Sequence, residues 1–393
     1  MARTVLVSAV RTPFCRLGGD LAGASAVDLG VAAATAAIER SGVAPADVDY
    51  SFIGAVVQAG QMHAMARQVT TRVGIPVESG SETINKVCAS GLRAIALADY
   101  LIRLDEAEIV LAGGMESMTS APYMALGARA GYRFGDQNLV DAVLPDGLRD
   151  PWTQRVMYDQ ANEVSHELGQ TREELDAWAL RSHQRAIAAM ESGAFAAEIA
   201  PVTIRERKSE RVIDQDQGPR ADSTLESLAK LGPLTENGTH TAGNSPGVTD
   251  GAAMVIAMSE DVANARGLKP LAIVRSSAAS ADITRRLACA PSTAVEAALA
   301  KAGLTVADID MLEVNEAFAS IALNTVKTLG IDPDRVNVQG GAVALGHPVG
   351  ASGARLAGTL VHQLGRSGGG IGVATICSGG GQGDAMVLEV LPA

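Results

Sequence analysis

The sequence predicts an α/β protein made of two related halves, and three observations carry that expectation. Ala-rich helical stretches alternate with short apolar strands, the grammar of helices layered on a sheet. The run GVAPADVDYSFIGA from Gly42 returns as GLTVADIDMLEVNEA from Gly303, and CASGLR at Cys88 returns as GASGAR at Gly350. The two matches are shifted by 261 residues (Gly42 to Gly303) and 262 residues (Cys88 to Gly350), and unrelated similarities would not keep one register. Between the halves, the stretch from Thr119 to Asp250 breaks the pattern, being richer in charge, Tyr, Trp and loop residues.

The elements follow in order. A strand is expected at Val5–Val7, then a helix over Val27–Arg40 that passes through glycine to a strand at Tyr50–Val57. A helix over Ser90–Leu104 and a strand over Glu108–Ala112 complete the first half. Within the interruption, amphipathic helices fall near Thr171–Ser192, and an insertion of this kind usually carries substrate-facing loops. The second half repeats the order as helix Ser292–Ala302, strand Met311–Val314, helix Ser352–Leu364 and strand Ile371–Ile376. The expected division is residues 1–119 with 250–271, an inserted unit over 120–249, and a second half over 272–393.

A chain of 393 residues suits two or three packed units, and 47% hydrophobic against 19% charged residues suits a large buried core. No apolar run reaches membrane length, and the first residues lack the pattern of a secretory signal, so a cytoplasmic address is the expectation. A net charge of −12 argues against nucleic acid or an anionic membrane as the main partner, while leaving room for an anionic ligand on a local basic patch. The four cysteines, Cys15, Cys88, Cys289 and Cys377, form no CxxC pair; free thiols are expected, with no metal site.

Two of these cysteines sit where chemistry can occur. Cys88 precedes the helix that starts near Ser90, where unpaired N–H groups and the positive helix end favour a thiolate. The plain alternative is a small buried cysteine at a strand–helix junction. His347, in GHPVGASG, occupies the loop of the second half that matches the Cys88 loop of the first. Alone it reads equally well as a turn histidine. Related halves bring equivalent helix starts together, however, so a cysteine and a histidine on paired loops can meet as nucleophile and base. Cys377 opens CSGGGQG after the last apolar strand, and its glycines let backbone N–H groups approach a ligand. A nucleotide loop would need GxGxxG spacing or a Walker lysine, and both are missing. Asn315 and Glu316 end the repeat strand at Val314, as functional side chains or as a helix cap. The order Cys88, Asn315, His347 and the absence of a CGSCW context speak against a papain-like protease.

Together NKVCASGLRA, NEAFA, GHPVGASGAR and CSGGGQG resemble the thiolase family in order and spacing, as do AVRTPF at Ala9–Phe14 and GGMESMT at Gly113–Thr119. The resemblance implies two βαβαβαββ halves in a five-layered α/β/α/β/α arrangement, a loop domain between them, and a homodimer that can pair into a tetramer. It implies reversible Claisen condensation of acetyl-CoA, or thiolysis of acetoacetyl-CoA and other 3-ketoacyl-CoAs. Coenzyme A thioesters are then substrates, with no permanently bound cofactor. Cys88 would carry the acyl group, His347 would activate it, and Cys377 would exchange the proton at C2. Asn315 would position a water that shares one oxyanion hole with His347, and the N–H groups of Cys88 and Gly379 would form the other. A thiolate suits reversible transfer between thioesters, and preorganised donors make the enolate accessible.

By the same resemblance Arg220 and Ser227, in GPRADSTLESLAK, would contact coenzyme A, and Met157, Phe318 and Gly247 would line the acyl site. The basic run Arg205, Arg207, Lys208 and Arg211 reads either as a solvated strand or as a phosphate clamp. Two departures stand out. The family's GNASG is GNSPG here, with Pro246 at the serine, and the His-Met pair of short-chain members is Val156-Met157. A β-ketoacyl carrier-protein synthase would need a second histidine where Cys377 stands. A non-catalytic lipid- or CoA-binding relative would be expected to lack the two cysteines.

Overall fold

A computed structural model of the chain describes residues 2–205 and 209–393. Its main strands are β1 (Thr4–Arg11), β2 (Tyr50–Gly54), β3 (Gly80–Ile84), β4 (Ile109–Glu116) and β5 (Thr249–Ser259) in the first half. The second half contributes β6 (Ala272–Ala281), β7 (Met311–Val314), β8 (Gly370–Ser378) and β9 (Gln382–Val390). The helices that matter below are α1 (Ala26–Ser41), α2 (Ser90–Arg103), α3 (Met157–Glu167), α4 (Arg172–Glu191), α5 (Ala290–Ala302), α6 (Ala319–Leu329) and α7 (Ser352–Arg366).

The strands hydrogen-bond in the order β3-β2-β4-β5-β1-β6-β9-β8-β7. The first five and the last four are one pattern used twice. In each half a parallel pair, β2 with β4 or β7 with β8, is followed by antiparallel neighbours. Val336 bridges Leu312 in parallel and stands where β3 stands in the first half. Among the described residues the halves meet edge to edge at Val5–Ile273 and Leu6–Ala272.

Helix packing makes the layers. α1 covers the outer face of β1, β4 and β5, and α5 covers β6, β8 and β9. α2 and α7 lie side by side between the two sheets, each touching strands of both halves. The order is therefore helix, sheet, helix, sheet, helix, the five-layered α/β arrangement expected. The central layer buries Leu92 and Ile95 of α2 against Leu356, Leu360 and Val361 of α7, each 2% exposed or less. At about 1.5–3 kcal/mol per large apolar side chain, this seam holds the halves together more than the two-residue strand contact does. Helix starts obey local chemistry: Ser25 and Asp28 form a capping box at α1, and Thr171 with Glu174 another at α4.

Strand boundaries differ from the sequence reading where glycine misled it. β4 continues through Gly113 and Gly114 to Glu116 rather than stopping at Ala112, because its pairing with β5 runs on to Glu116–Gly251, and a Cβ at either glycine would collide with a facing carbonyl oxygen. These glycines permit close approach and do not mark a turn. β2 ends at Gly54 instead of Val57, since the N–H groups of Val56 and Val57 turn away from the ladder toward the Glu116 carboxylate.

Two buried knots fasten the inserted stretch to this frame. Arg11 of β1 pairs with Glu198 at 2.5 Å and Asp216 at 2.6 Å. Glu316, following β7, accepts from Trp178 Nε1 at 2.9 Å and Ser182 Oγ at 2.7 Å on α4. Among the described residues no helix is long and apolar enough to cross a membrane.

Candidate active site

Cys88 stands on an elbow between β3 and α2. The residue before it, Val87, has φ +47°, a costly conformation for a β-branched side chain that persists only where the surroundings enforce it. They do. Ser90 Oγ donates to Val87 O at 2.6 Å and accepts from Lys86 N at 2.8 Å, while Ser378 Oγ of the second half donates to Lys86 O at 2.5 Å. Lys86 Nζ is tied to Asp384 at 2.5 Å. The elbow is thus held from both halves.

The expectation of a ready thiolate needs correcting. Burial pushes the Cys88 thiol up to about 12, against N–H donation from Gly379 and from its own backbone, and nearby Glu116 raises it further. A helix start is a partial charge, whereas loss of water acts on the full thiolate charge, so burial wins. A base is required.

His347 has the geometry of one. Ser352 Oγ donates to Pro348 O at 2.9 Å, so its lone pair faces His347 Nδ1 at 2.6 Å, and Nδ1 carries the proton. Nε2 is then the acceptor, and Asn315 Nδ2 lies 3.3 Å from it. Burial, reinforced by Arg355, holds the imidazole down at about 3, hence neutral across the ordinary pH range. Asn315 is fully buried at the end of β7. Its N–H donates to Thr375 O at 2.9 Å, and its Oδ1 has no partner among the described residues. It caps no helix; α6 starts after Phe318 without a side-chain cap.

Cys377 is the penultimate residue of β8, 1% exposed, among Val164, Leu287, Ala288 and Ile321. Burial raises its thiol well above the ordinary range, and a thiolate on Cys88 would raise it further, so the two sulfurs are electrostatic neighbours. The β8–β9 turn brings Gly379 close to the Cys88 elbow: a Cβ there would lie 2.7 Å from Met157 Cε and 3.3 Å from Val87 Cγ1, so a side chain would have to displace the methionine tip.

Cys88 and His347 line one cavity of about 260 Å³. Its remaining wall is mostly apolar and includes Val156, Met157, Phe318 and Gly247, with Leu144 and Leu148 beside them. An adjoining cavity of about 220 Å³ holds Arg220 and His183 and shares Ser245 and Gly247 with the first. Ser227 reaches neither; its hydroxyl and Thr224 form the capping box of the short helix Leu225–Ala229. Ser245, one residue before Pro246, is 8% exposed, and its hydroxyl has no partner among the described residues. Of the basic run, Arg205 pairs with Glu210 and Arg211 with Asp20, while Arg207 and Lys208 lie outside the described residues. A larger cavity, about 550 Å³ beside Phe195 and Asp214, contains none of these groups.

Sequence reasoning missed Ser352 and Glu116. The signal for Ser352 was present, because CASGLR and GASGAR align Ser90 with Ser352, and each serine ties down the loop before its helix. Glu116 falls at Cys377–Ser378 of the second half by the same shift, and a carboxyl there gave no local cue.

Comparison with known proteins follows the same division. The family model described as "Thiolase, N-terminal domain" matches residues 4–261, and "Thiolase, C-terminal domain" matches residues 268–390. An acetyl-CoA acetyltransferase of Escherichia coli (strain K12) is 46% identical over 393 residues, covering 100% of both chains. One from Paracoccus denitrificans is 43% identical over 390 residues, 99% of this chain and 100% of that one. The crystal structure of the Bacillus anthracis acetyl-CoA acetyltransferase superposes with a TM-score of 0.97 at 39% identity, over 100% of this chain and 99% of that one.

Proposed function

This chain belongs to the thiolase family and is an acyltransferase, and we propose that it works on acetyl-CoA, acetoacetyl-CoA and other 3-ketoacyl-CoAs through an acyl group carried on Cys88. The observation that supports this most is the convergence around one site of a cysteine held by the strained Val87 elbow, a neutral histidine whose unprotonated Nε2 faces Asn315 Nδ2, and a second buried thiol.

In thiolysis Cys88 passes its proton to His347 Nε2 as Sγ attacks the 3-keto carbon. The C2–C3 bond breaks, the acetyl-CoA enolate takes a proton at C2 from Cys377, and acyl-Cys88 remains. The thiol of coenzyme A then returns a proton to Cys377 and attacks the acyl group. Cys88 leaves as a thiolate and recovers its proton from His347. Condensation is the reverse. A thiol held well above its ordinary range suits Cys377 as the acid. The orphan Oδ1 of Asn315 suits a water ligand beside Nε2, and the Gly379 and Cys88 N–H groups suit a developing oxyanion at the sulfur they already face.

In the same proposal residues 120–249 form the loop domain between halves 1–119 with 250–271 and 272–393, and Arg220 and Ser245 meet the arm of coenzyme A. The assembly is a cytoplasmic homodimer or a pair of dimers. β3 is the open edge of the sheet, and Phe134, 99% exposed, offers an apolar contact to a second copy.

The deciding experiment is incubation with acetyl-CoA followed by peptide mass analysis, alongside acetoacetyl-CoA thiolysis read as loss of enolate absorbance. One acetyl group on Cys88 is expected; acetyl on Cys377 with Cys88 free would refute the assignment.

A further inference from the structure

Glu116 closes β4 in full burial, and among the described residues no cation pairs with it. Its carboxylate is satisfied by three backbone N–H groups: Gly350 at 2.9 Å and Val56 at 3.2 Å on Oε2, and Val57 at 3.1 Å on Oε1. A buried carboxyl without a counter-ion is costly and needs a reason. Burial pushes it up to about 7, against the pull of these donors, and Asp250 adds slightly to the rise.

The reason lies in what the donors belong to. Gly350 is three residues after His347 and two before Ser352, the residue that fixes the imidazole tautomer. The loop enters at His347, whose N–H donates to Thr249 Oγ1 at 3.1 Å. Its turn is pressed against the first half so closely that a Cβ on Gly114 would come 1.9 Å from Gly350 O. Contact of that kind excludes positions but does not select one. A directed bond does, and Glu116 supplies it from the opposite half to the one that carries the histidine.

We propose that Glu116 is a positioning residue for His347, its carboxylate clamping Gly350 and the Val56–Val57 turn together so that Nε2 is aimed at Cys88 and Asn315. This rests on the reading of His347 as the base. Glutamine cannot substitute, because with one oxygen taken by Gly350 and Val56 its amide would turn N–H toward the N–H of Val57.

The test is a double-mutant cycle on the full chain, with kcat and KM for acetoacetyl-CoA thiolysis. Glu116→Gln should lower kcat roughly tenfold to a hundredfold, the usual effect of misplacing a reacting group by about 1 Å, with KM for coenzyme A within about twofold. In a His347→Ala background the same change should alter the residual rate less than about twofold. Equal losses in both backgrounds, or a Glu116→Gln enzyme with wild-type kcat, overturn the proposal. If the glutamine variant does not fold, Glu116→Asp keeps the charge and shortens the reach. It should show the same non-additive loss, and wild-type kcat there overturns the proposal too. Failure of the parent reading looks different, since His347→Ala alone would then remain active.

Discussion

Cys88 and Cys377 are both raised by burial, and the groups around them separate their tasks. Cys88 borders the cavity that His347 also lines. Cys377 is 1% exposed, among apolar side chains, and its thiol is raised well above the ordinary range by burial and further by any thiolate on Cys88. A thiol so placed is a poor nucleophile and a serviceable acid for carbon. Cys377→Ala should therefore still accept acetyl from acetyl-CoA on Cys88 while losing about 10²–10⁴ in thiolysis, the usual contribution of a general acid or base. Measuring both half-reactions checks this. Near-normal acetoacetyl-CoA cleavage would remove Cys377 from the mechanism.

At the scale of elements, the segment leading into α3 is expected to set the acyl site. Val156 is its N-cap and lines the cavity together with Leu144 and Leu148 from the preceding turn. Among the described residues that line it none is Asp, Glu, Lys or Arg, and besides Cys88 and His347 only Tyr158 and Ser245 carry polar side chains, so an acyl tail is expected to meet mostly hydrocarbon. Each buried methylene is worth about 0.8 kcal/mol, a factor of ~4, where it fits without strain. Acetoacetyl-CoA is expected to be cleaved without exclusive preference, and 3-ketohexanoyl-CoA to be cleaved as well. The ratio of kcat/KM for the two substrates decides. A hundredfold bias to the shorter one would mean that the leucines close the pocket.

At the scale of the molecule, the insertion is joined to the second half through Glu316. Besides Trp178 and Ser182 on α4, it accepts from Asn337 Nδ2 at 2.9 Å and Val343 N at 3.0 Å, with no exposure to solvent. Removing it strands four donors at once. Hydrogen bonds to a charged group are worth about 1.5–3 kcal/mol each, partly regained by relaxation, so Glu316→Ala should cost about 3–5 kcal/mol. The check is the guanidinium unfolding midpoint, with Glu316→Gln expected between the alanine variant and the parent chain. An unchanged midpoint for the alanine variant would show that the insertion is held elsewhere.

The duplicated plan was legible because it is written as local repetition: AD-V/I-D before a strand, and Ser90 and Ser352 before matching helices. Periodicity, glycine and caps act over a few residues, so the alternating elements, the interruption near Thr119, and the candidates Cys88, His347, Cys377 and Asn315 could all be read from the chain. The sign of the Cys88 shift could not, because it depends on how much water the opposite half removes. The misjudged strand ends share that origin, since Gly113, Gly114 and Val56 take their conformations from partners far along the chain. Ser227, matched by motif, stays exposed and bonds to Thr224 at the start of its own helix, while Ser245 lines both cavities. Sequence by itself determined which groups are present and the local frame that bears each. Tertiary structure alone decided their burial and mutual aim, because desolvation and hydrogen-bond direction are set by atoms from the other half.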